Sequence, residues 1–286
     1  MKRFFVTIFS VLLAFFPVIV RADTLTLQPV AGASINYGSA TTQASWTTVR
    51  NAAVGTAAVT SFSGFQIQLY TSTSTINPWR NLVRAFLTFD TSAIPDNAVI
   101  NSVQMRLYGN SKFDGLGVST TMGIAIVSST PVNPIAYNTG DYSRIDGIVF
   151  ASTTYQNFLT GGYNDFNFNT TSTINKTTYT TFGVREYRYD HQNVEPPTTT
   201  LNNNTNINIS ATTSNPVYLV IDYSVPPEYV PDSPPLTSTN STLLADYVYR
   251  YGRALTWIIS GLLFAAFVNM LYTIGINAKR NMRSWF

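Results

Sequence analysis

Cysteine is absent from the chain and histidine occurs once, as His191. Without thiols there is no disulfide framework, no thiolate metal centre and no cysteine nucleophile; a single imidazole excludes a multi-histidine metal site. Charge is scarce too. Asp, Glu, Lys and Arg make up 11% of the 286 residues, against about 25% in an average soluble domain. The charges also divide unevenly. Lys2, Arg3 and Arg21 lie at the amino end, and Arg250, Arg253, Lys279, Arg280 and Arg283 near the carboxyl end. Between residues 23 and 249 there remain 9 basic and 14 acidic residues, a net of −5. The basic isoelectric point therefore belongs to the termini. Nucleic acid is not an expected partner, because its phosphates need a basic face.

Two long apolar runs are present. Residues 1–22 read as a signal peptide: Lys2 and Arg3, an apolar core over 4–20, then Val20-Arg21-Ala22 as a small-residue cleavage site before Asp23. A retained amino-terminal anchor is the alternative, which Pro17 near the end of the core disfavours. Residues 255–276 carry no charge over 22 positions. At about 1.5 Å per residue they span roughly 33 Å, enough for a hydrocarbon core of about 30 Å. Lys279, Arg280 and Arg283 follow as a basic cytoplasmic tail (277–286), and Trp257, Tyr272 and Trp285 suit the interfaces. The expected topology is a single-pass protein of the cell membrane, with its ectodomain extracellular or periplasmic. Asn269, with Gly261 and Ala265 as a small-xxx-small surface, offers a route to self-association through the span. An asparagine satisfied within its own helix is the alternative.

Between these runs the composition changes once. Five prolines fall within 226–235, which makes 226–241 an extended stalk. Ser241 then suits the N-cap of a juxtamembrane helix over 242–254. The ectodomain, 23–225, is rich in Thr, Ser, Asn and aromatics and shows period-two alternation. Val83, Ala85, Leu87 and Phe89 form one apolar set; Val103, Met105 and Leu107 a second; Val217, Leu219 and Ile221 a third. Met122, Ile124 and Ile126 form a fourth, and Phe166 with Phe168 a shorter fifth. Strands buried on one face and wet on the other predict an all-β, antiparallel β-sandwich. The polar stretch 198–213 (TTTLNNNTNINISATT) reads as a surface loop or hairpin tip.

Asp90 ends the first of these strands before Thr-Ser, a position from which its carboxylate can accept backbone N–H bonds and cap a turn; Ile94 can plug the core and Pro95 sets the exit. As a catalytic acid Asp90 would lack a second carboxylate. The run Arg84-Ala-Phe-Leu-Thr-Phe-Asp90-Thr-Ser-Ala-Ile-Pro95 and the strand Ala98-Val-Ile-Asn-Ser-Val-Gln-Met-Arg-Leu-Tyr108 resemble the DNRLRE-type domain of bacterial and archaeal surface proteins. Residues 163–169 and 218–223 are similar to that family's second half. The resemblance implies a jelly-roll-like sandwich related to a carbohydrate-binding module family that recognises acidic polysaccharide. The matching positions are core and turn residues, so it assigns no binding residue here.

Sugar recognition needs aromatic faces and fixed polar groups. Trp79, in Asn77-Pro-Trp-Arg-Asn81, is expected at the sandwich edge, while Trp46 suits the core equally well. Arg185, Tyr187 and Tyr189 would share one face of a strand, placing a cation between two rings suited to an acidic sugar; a solvated strand with arginine stacked for stability is the alternative. His191 sits among polar neighbours with no partner that would make it a general base. No cofactor is expected. Asp141, Asp146 and Asp165 offer at most a stabilising calcium site, without the close oxygen run that calcium favours. The expectation is a non-enzymatic, membrane-anchored surface protein that binds or adheres, with polysaccharide as candidate partner and homo-oligomers as an option. The alternative is a structural envelope or virion-surface protein packed in many copies.

Overall fold

The computed structural model describes residues 21–226, except 40, 62 and 198–200. The signal core, the stalk, the juxtamembrane helix, the 255–276 segment with Gly261, Ala265 and Asn269, and the basic tail lie outside the described residues. Among those described, no helix is long and apolar enough to cross a membrane.

The body is antiparallel β throughout. In chain order it contains β1 (Arg21–Leu27), β2 (Ala31–Gly38), a short α1 (Trp46–Arg50), β3 (Ala57–Val59), β4 (Gly64–Thr71), β5 (Trp79–Asp90) and β6 (Val99–Asp114). Then come β7 (Gly123–Ser129), β8 (Ile145–Thr154), β9 (Gly162–Asn167), β10 (Tyr179–Glu186), β11 (Asn204–Ser210) and β12 (Tyr218–Val225). The hydrogen-bonded order is β1-β12-β6-β11-β4-β5-β10-β7-β8, with β2 added to β5, β3 to β2 and β9 to β6.

Two long strands make this sheet curl. β5 pairs with β2 over 81–88 along one edge, so β4 (at 79–83) and β10 (at 85–90) must share the other. β6 does the same, with β9 on one edge and β12 then β11 on the other. A strand that serves two successive partners on one edge turns the sheet between them. A bulge sharpens the second turn: Asn208 opposes Ser111 while Ile209 opposes Gly109, leaving Asn110 as the extra residue. Glycine is required at 109, where a Cβ would stand 1.9 Å from the Leu159 carbonyl oxygen.

The alternating sets of β6 and β12 are buried at Val103, Met105, Leu107, Leu219 and Ile221. β5 departs from one-sided burial, since every residue from Leu82 to Phe89 is buried. It lies where the sheet folds over, so both of its faces meet protein. The 204–210 stretch is a further correction, being strand β11 rather than a loop, inserted between β4 and β6. Its apolar content is low, but Thr205, Ile207 and Ile209 are buried, as is Asn206 between them, and that suffices once both neighbours supply ladder bonds. The turn after β5 is held by Asp90, whose Oδ1 accepts from the Ser92 backbone N–H (3.1 Å) and hydroxyl (2.6 Å). Ile94 is buried, and the Pro95 carbonyl accepts from Ala98 N–H.

Candidate binding groove

β11 reads Asn-Thr-Asn-Ile-Asn-Ile-Ser. The period of two sends its threonine and isoleucines to the buried face and Asn204, Asn206 and Asn208 to the opposite one. Register extends this amide row sideways. Asn208 lies opposite Gln66, Asn206 opposite Gln68 and Asn204 opposite Tyr70 on β4; Gln68 then meets Val83 and Tyr70 meets Asn81 on β5. Asn36 on β2 completes the Val83 row. The amides lock one another: Asn208 Nδ2 donates to Asn206 Oδ1 (3.0 Å) and to Ser111 Oγ (2.9 Å), and Asn206 Nδ2 donates to Asn204 Oδ1 (2.9 Å). A ladder of this kind fixes each amide's orientation before any ligand arrives.

This face holds an open groove of about 690 Å³. Six amides line it, from Asn36, Gln66, Asn81, Asn110, Asn208 and Asn215, together with the hydroxyls of Ser34, Ser63, Ser210 and Thr212, and among the described residues no charged side chain. The amide of Asn110 is supplied by the bulge. Asn81 Oδ1 is buried and has no hydrogen-bond partner among the described residues. Asn36 and Asn208 have their NH2 groups engaged within the fold; the other lining amides can present a donor and an acceptor together, as hydroxyls do, so the surface matches a neutral, polyhydroxylated ligand. Carboxylate, phosphate or ammonium groups would find no counter-charge in it.

The residues singled out from sequence lie elsewhere. Trp79 is completely buried, its ring 4.9 Å from that of Trp46 in an edge-on arrangement, with Nε1 donating to Glu195 (3.4 Å). It has no face to offer a sugar, because α1 and the 44–79 backbone bridge close over it. Arg185, Tyr187 and Tyr189 do not share a strand face either. β10 ends at Glu186, and residues Tyr187–His191 form a π-helical turn. Glu186 caps that turn, accepting from the backbone N–H groups of Arg188 (2.9 Å), Tyr189 and Asp190 (2.9 Å). Tyr189 is buried with its hydroxyl against that of Thr121, while Tyr187 stacks on His191 at 5.8 Å.

Arg185 is buried for a different purpose. Arg84 Nη2 and Nε reach Asp190 at 2.6 and 2.9 Å, and Arg185 grips the same carboxylate from its other side. The remaining guanidinium donors go to the carbonyls of Tyr142, Arg50 and Ile145. The Arg84 guanidinium also lies 4.2 Å from the centre of the Tyr142 ring. Burial alone would keep Asp190 neutral, but the two guanidiniums outweigh it and hold the carboxyl well below its usual range. This centre is buried and bonded within the fold, so it presents no open face to a ligand. Arg50 adds a bond from Nε to the Asp190 carbonyl (2.6 Å), and burial followed by the charge of Arg185 lowers the His191 pKa.

Of the candidate calcium ligands, Asp141 and Asp165 are engaged within the fold. Asp141 is buried and accepts from the N–H groups of Val132 and Asn138, and Asp165 pairs with Arg106 at 2.8 Å. Among the described residues no three acidic or histidine side chains converge.

Glu186 gives a pH dependence. Burial pushes its carboxyl up to about 7, although backbone N–H groups of Gly123 and of the turn draw it down. An acid raised in the fold binds more protons folded than unfolded, so stability falls as pH rises from its unfolded value towards 7. Thermal melts are expected at higher temperature near about pH 5 than near about pH 7.5, and Glu186→Gln is expected to flatten that difference. An equal slope in the variant would contradict this assignment.

No protein-family model matches the chain, and no curated protein matches it.

Proposed function

We propose that this protein is a membrane-anchored surface binding protein without catalytic activity, whose curled antiparallel body is a jelly-roll-like β-sandwich that takes a neutral glycan in the amide groove. The observation that carries the reading is the groove's lining: six amides, four hydroxyls and, among the described residues, no charged side chain. Among the described residues the groove has no lining carboxylate, whereas most glycoside hydrolases use a flanking acid pair. Two further features agree with a surface role. The 255–276 run and its basic flank suit a carboxyl-terminal anchor, and the resemblance over 84–108 is to surface-protein domains. The uncharged groove departs from the acidic polysaccharide that the related module family would suggest.

The test is binding of the full chain, in detergent micelles, to immobilised neutral and acidic oligosaccharides. Retention on neutral glycans is expected, with Asn208→Ala and Gln66→Ala each weakening it by roughly tenfold, the equivalent of one or two ligand hydrogen bonds. Binding confined to acidic glycans, or indifferent to both substitutions, would overturn the reading. Regular arrays of the full chain with no glycan retention would favour the structural-envelope alternative.

A further inference from the structure

The groove face does not stop at the groove. Beyond its bulge β6 presents Tyr108 directly opposite Ser210, a groove-lining residue, and opposite Tyr163 on β9. Two residues further along, Arg106 lies between Asp165 on β9 and Tyr218 on β12. Directly opposed residues of an antiparallel pair project to the same face. Tyr108, Tyr163, Tyr218 and Arg106 therefore continue the surface that carries Asn208 and Ser210.

The rings form a fixed cluster. Tyr163 is central, 5.3 Å from Tyr108 and 5.8 Å from Tyr218, with its hydroxyl donating to the Pro216 carbonyl (3.1 Å). The Arg106 guanidinium lies 4.9 Å from the Tyr163 ring centre and is held there by Asp165. That ion pair satisfies its own charge, so the cluster offers aromatic surface without a net attraction for anions. Tyr163 is thus a brace, covered by a cation. Tyr108 and Tyr218 are partly exposed and carry no such cover among the described residues.

We propose that Tyr108 and Tyr218 form a stacking subsite continuous with the amide groove, so that the ligand is an extended neutral glycan chain lying across β6 rather than a single sugar. This rests on the glycan reading above. From β4, on the groove floor, to β6 is two strand spacings, about 10 Å, which more than one sugar ring must cover. Pyranose rings present apolar faces to the tyrosines, and the amides bind the hydroxyls of the neighbouring units.

The experiment is titration of the full chain in micelles with a length series of neutral gluco- and manno-oligosaccharides, from disaccharide to hexasaccharide. Affinity is expected to rise with length by about tenfold once the chain reaches the tyrosines. Tyr108→Ala and Tyr218→Ala are expected to remove that gain while leaving disaccharide binding intact, and Tyr108→Phe, which keeps the ring, to preserve it. Thermal melts of the variants separate lost stacking from lost folding. Disaccharide binding with no length dependence, or a length dependence untouched by both alanine variants, would overturn the subsite while leaving the groove standing. No binding of any oligosaccharide would overturn both.

Discussion

Asp190→Ala is expected to cost about 3–5 kcal/mol of folding stability, the penalty for leaving buried charge without its counter-ion. The carboxylate is fully buried between Arg84 and Arg185, and its removal sets two guanidiniums against each other in a medium that screens them poorly. In a body of this size each kcal/mol moves the midpoint by roughly 2–4 °C, so a fall of roughly 6–20 °C is expected in a thermal melt. The geometry also predicts non-additivity. Arg84→Met on the Asp190→Ala background is expected to recover part of the loss, because Arg185 no longer faces the like charge of Arg84, whereas Arg84→Met by itself leaves Asp190 with one of its two guanidinium partners. A cycle of the four proteins measures that coupling. A single Asp190→Ala variant melting within a degree or two of the parent would show that the centre is wet.

Trp79→Ala is expected to destabilise by a similar amount, about 3–5 kcal/mol, as for other large aromatics emptied from a core. The loss falls on packing, because the ring contacts Trp46 and its indole N–H reaches Glu195. Trp79→Phe is expected to recover most of it. Assayed well below its melting temperature, the alanine variant is expected to bind neutral glycan as the parent does, since Trp79 does not line the groove. Normal melting with lost glycan binding would instead place the ring at the surface, as the sequence alone suggests.

That contrast shows what was legible. Val103, Met105 and Leu107, or Leu219 and Ile221, alternate so strongly that no packing detail alters their face. Trp79 misleads because Asn-Pro before it and Arg-Asn after it look like a loop mouth; burial comes from Trp46 and Glu195, 33 residues before it and 116 after it in the chain. Tyr187 and Tyr189 read as strand neighbours because nothing local announces that Glu186 will turn inward and gather three backbone N–H groups of the following turn. Arg84 and Arg185 look solvent-facing until Asp190, 106 residues beyond the first, is brought between them.

The amide groove was hidden for a related reason. The 204–210 stretch holds only two strongly apolar residues, and asparagine is poor in strands on average, so composition argued for a loop. The signal that was present is its strict alternation, Asn-Thr-Asn-Ile-Asn-Ile-Ser. Asn204, Asn206 and Asn208 fall on every second position, and Gln66 and Gln68 follow the same period on β4. Such spacing places a row of like side chains on one face, whatever the average preference of each.

The central claim is that a sugar touches those amides directly, and side-chain NH2 resonances report it most directly. In the full chain in micelles, titration with a neutral oligosaccharide that binds is expected to shift the NH2 signals of Gln66, Asn81 and Asn208 together, leaving those of Asn133 and Asn157 unmoved. Shifts confined to residues outside the groove would contradict it.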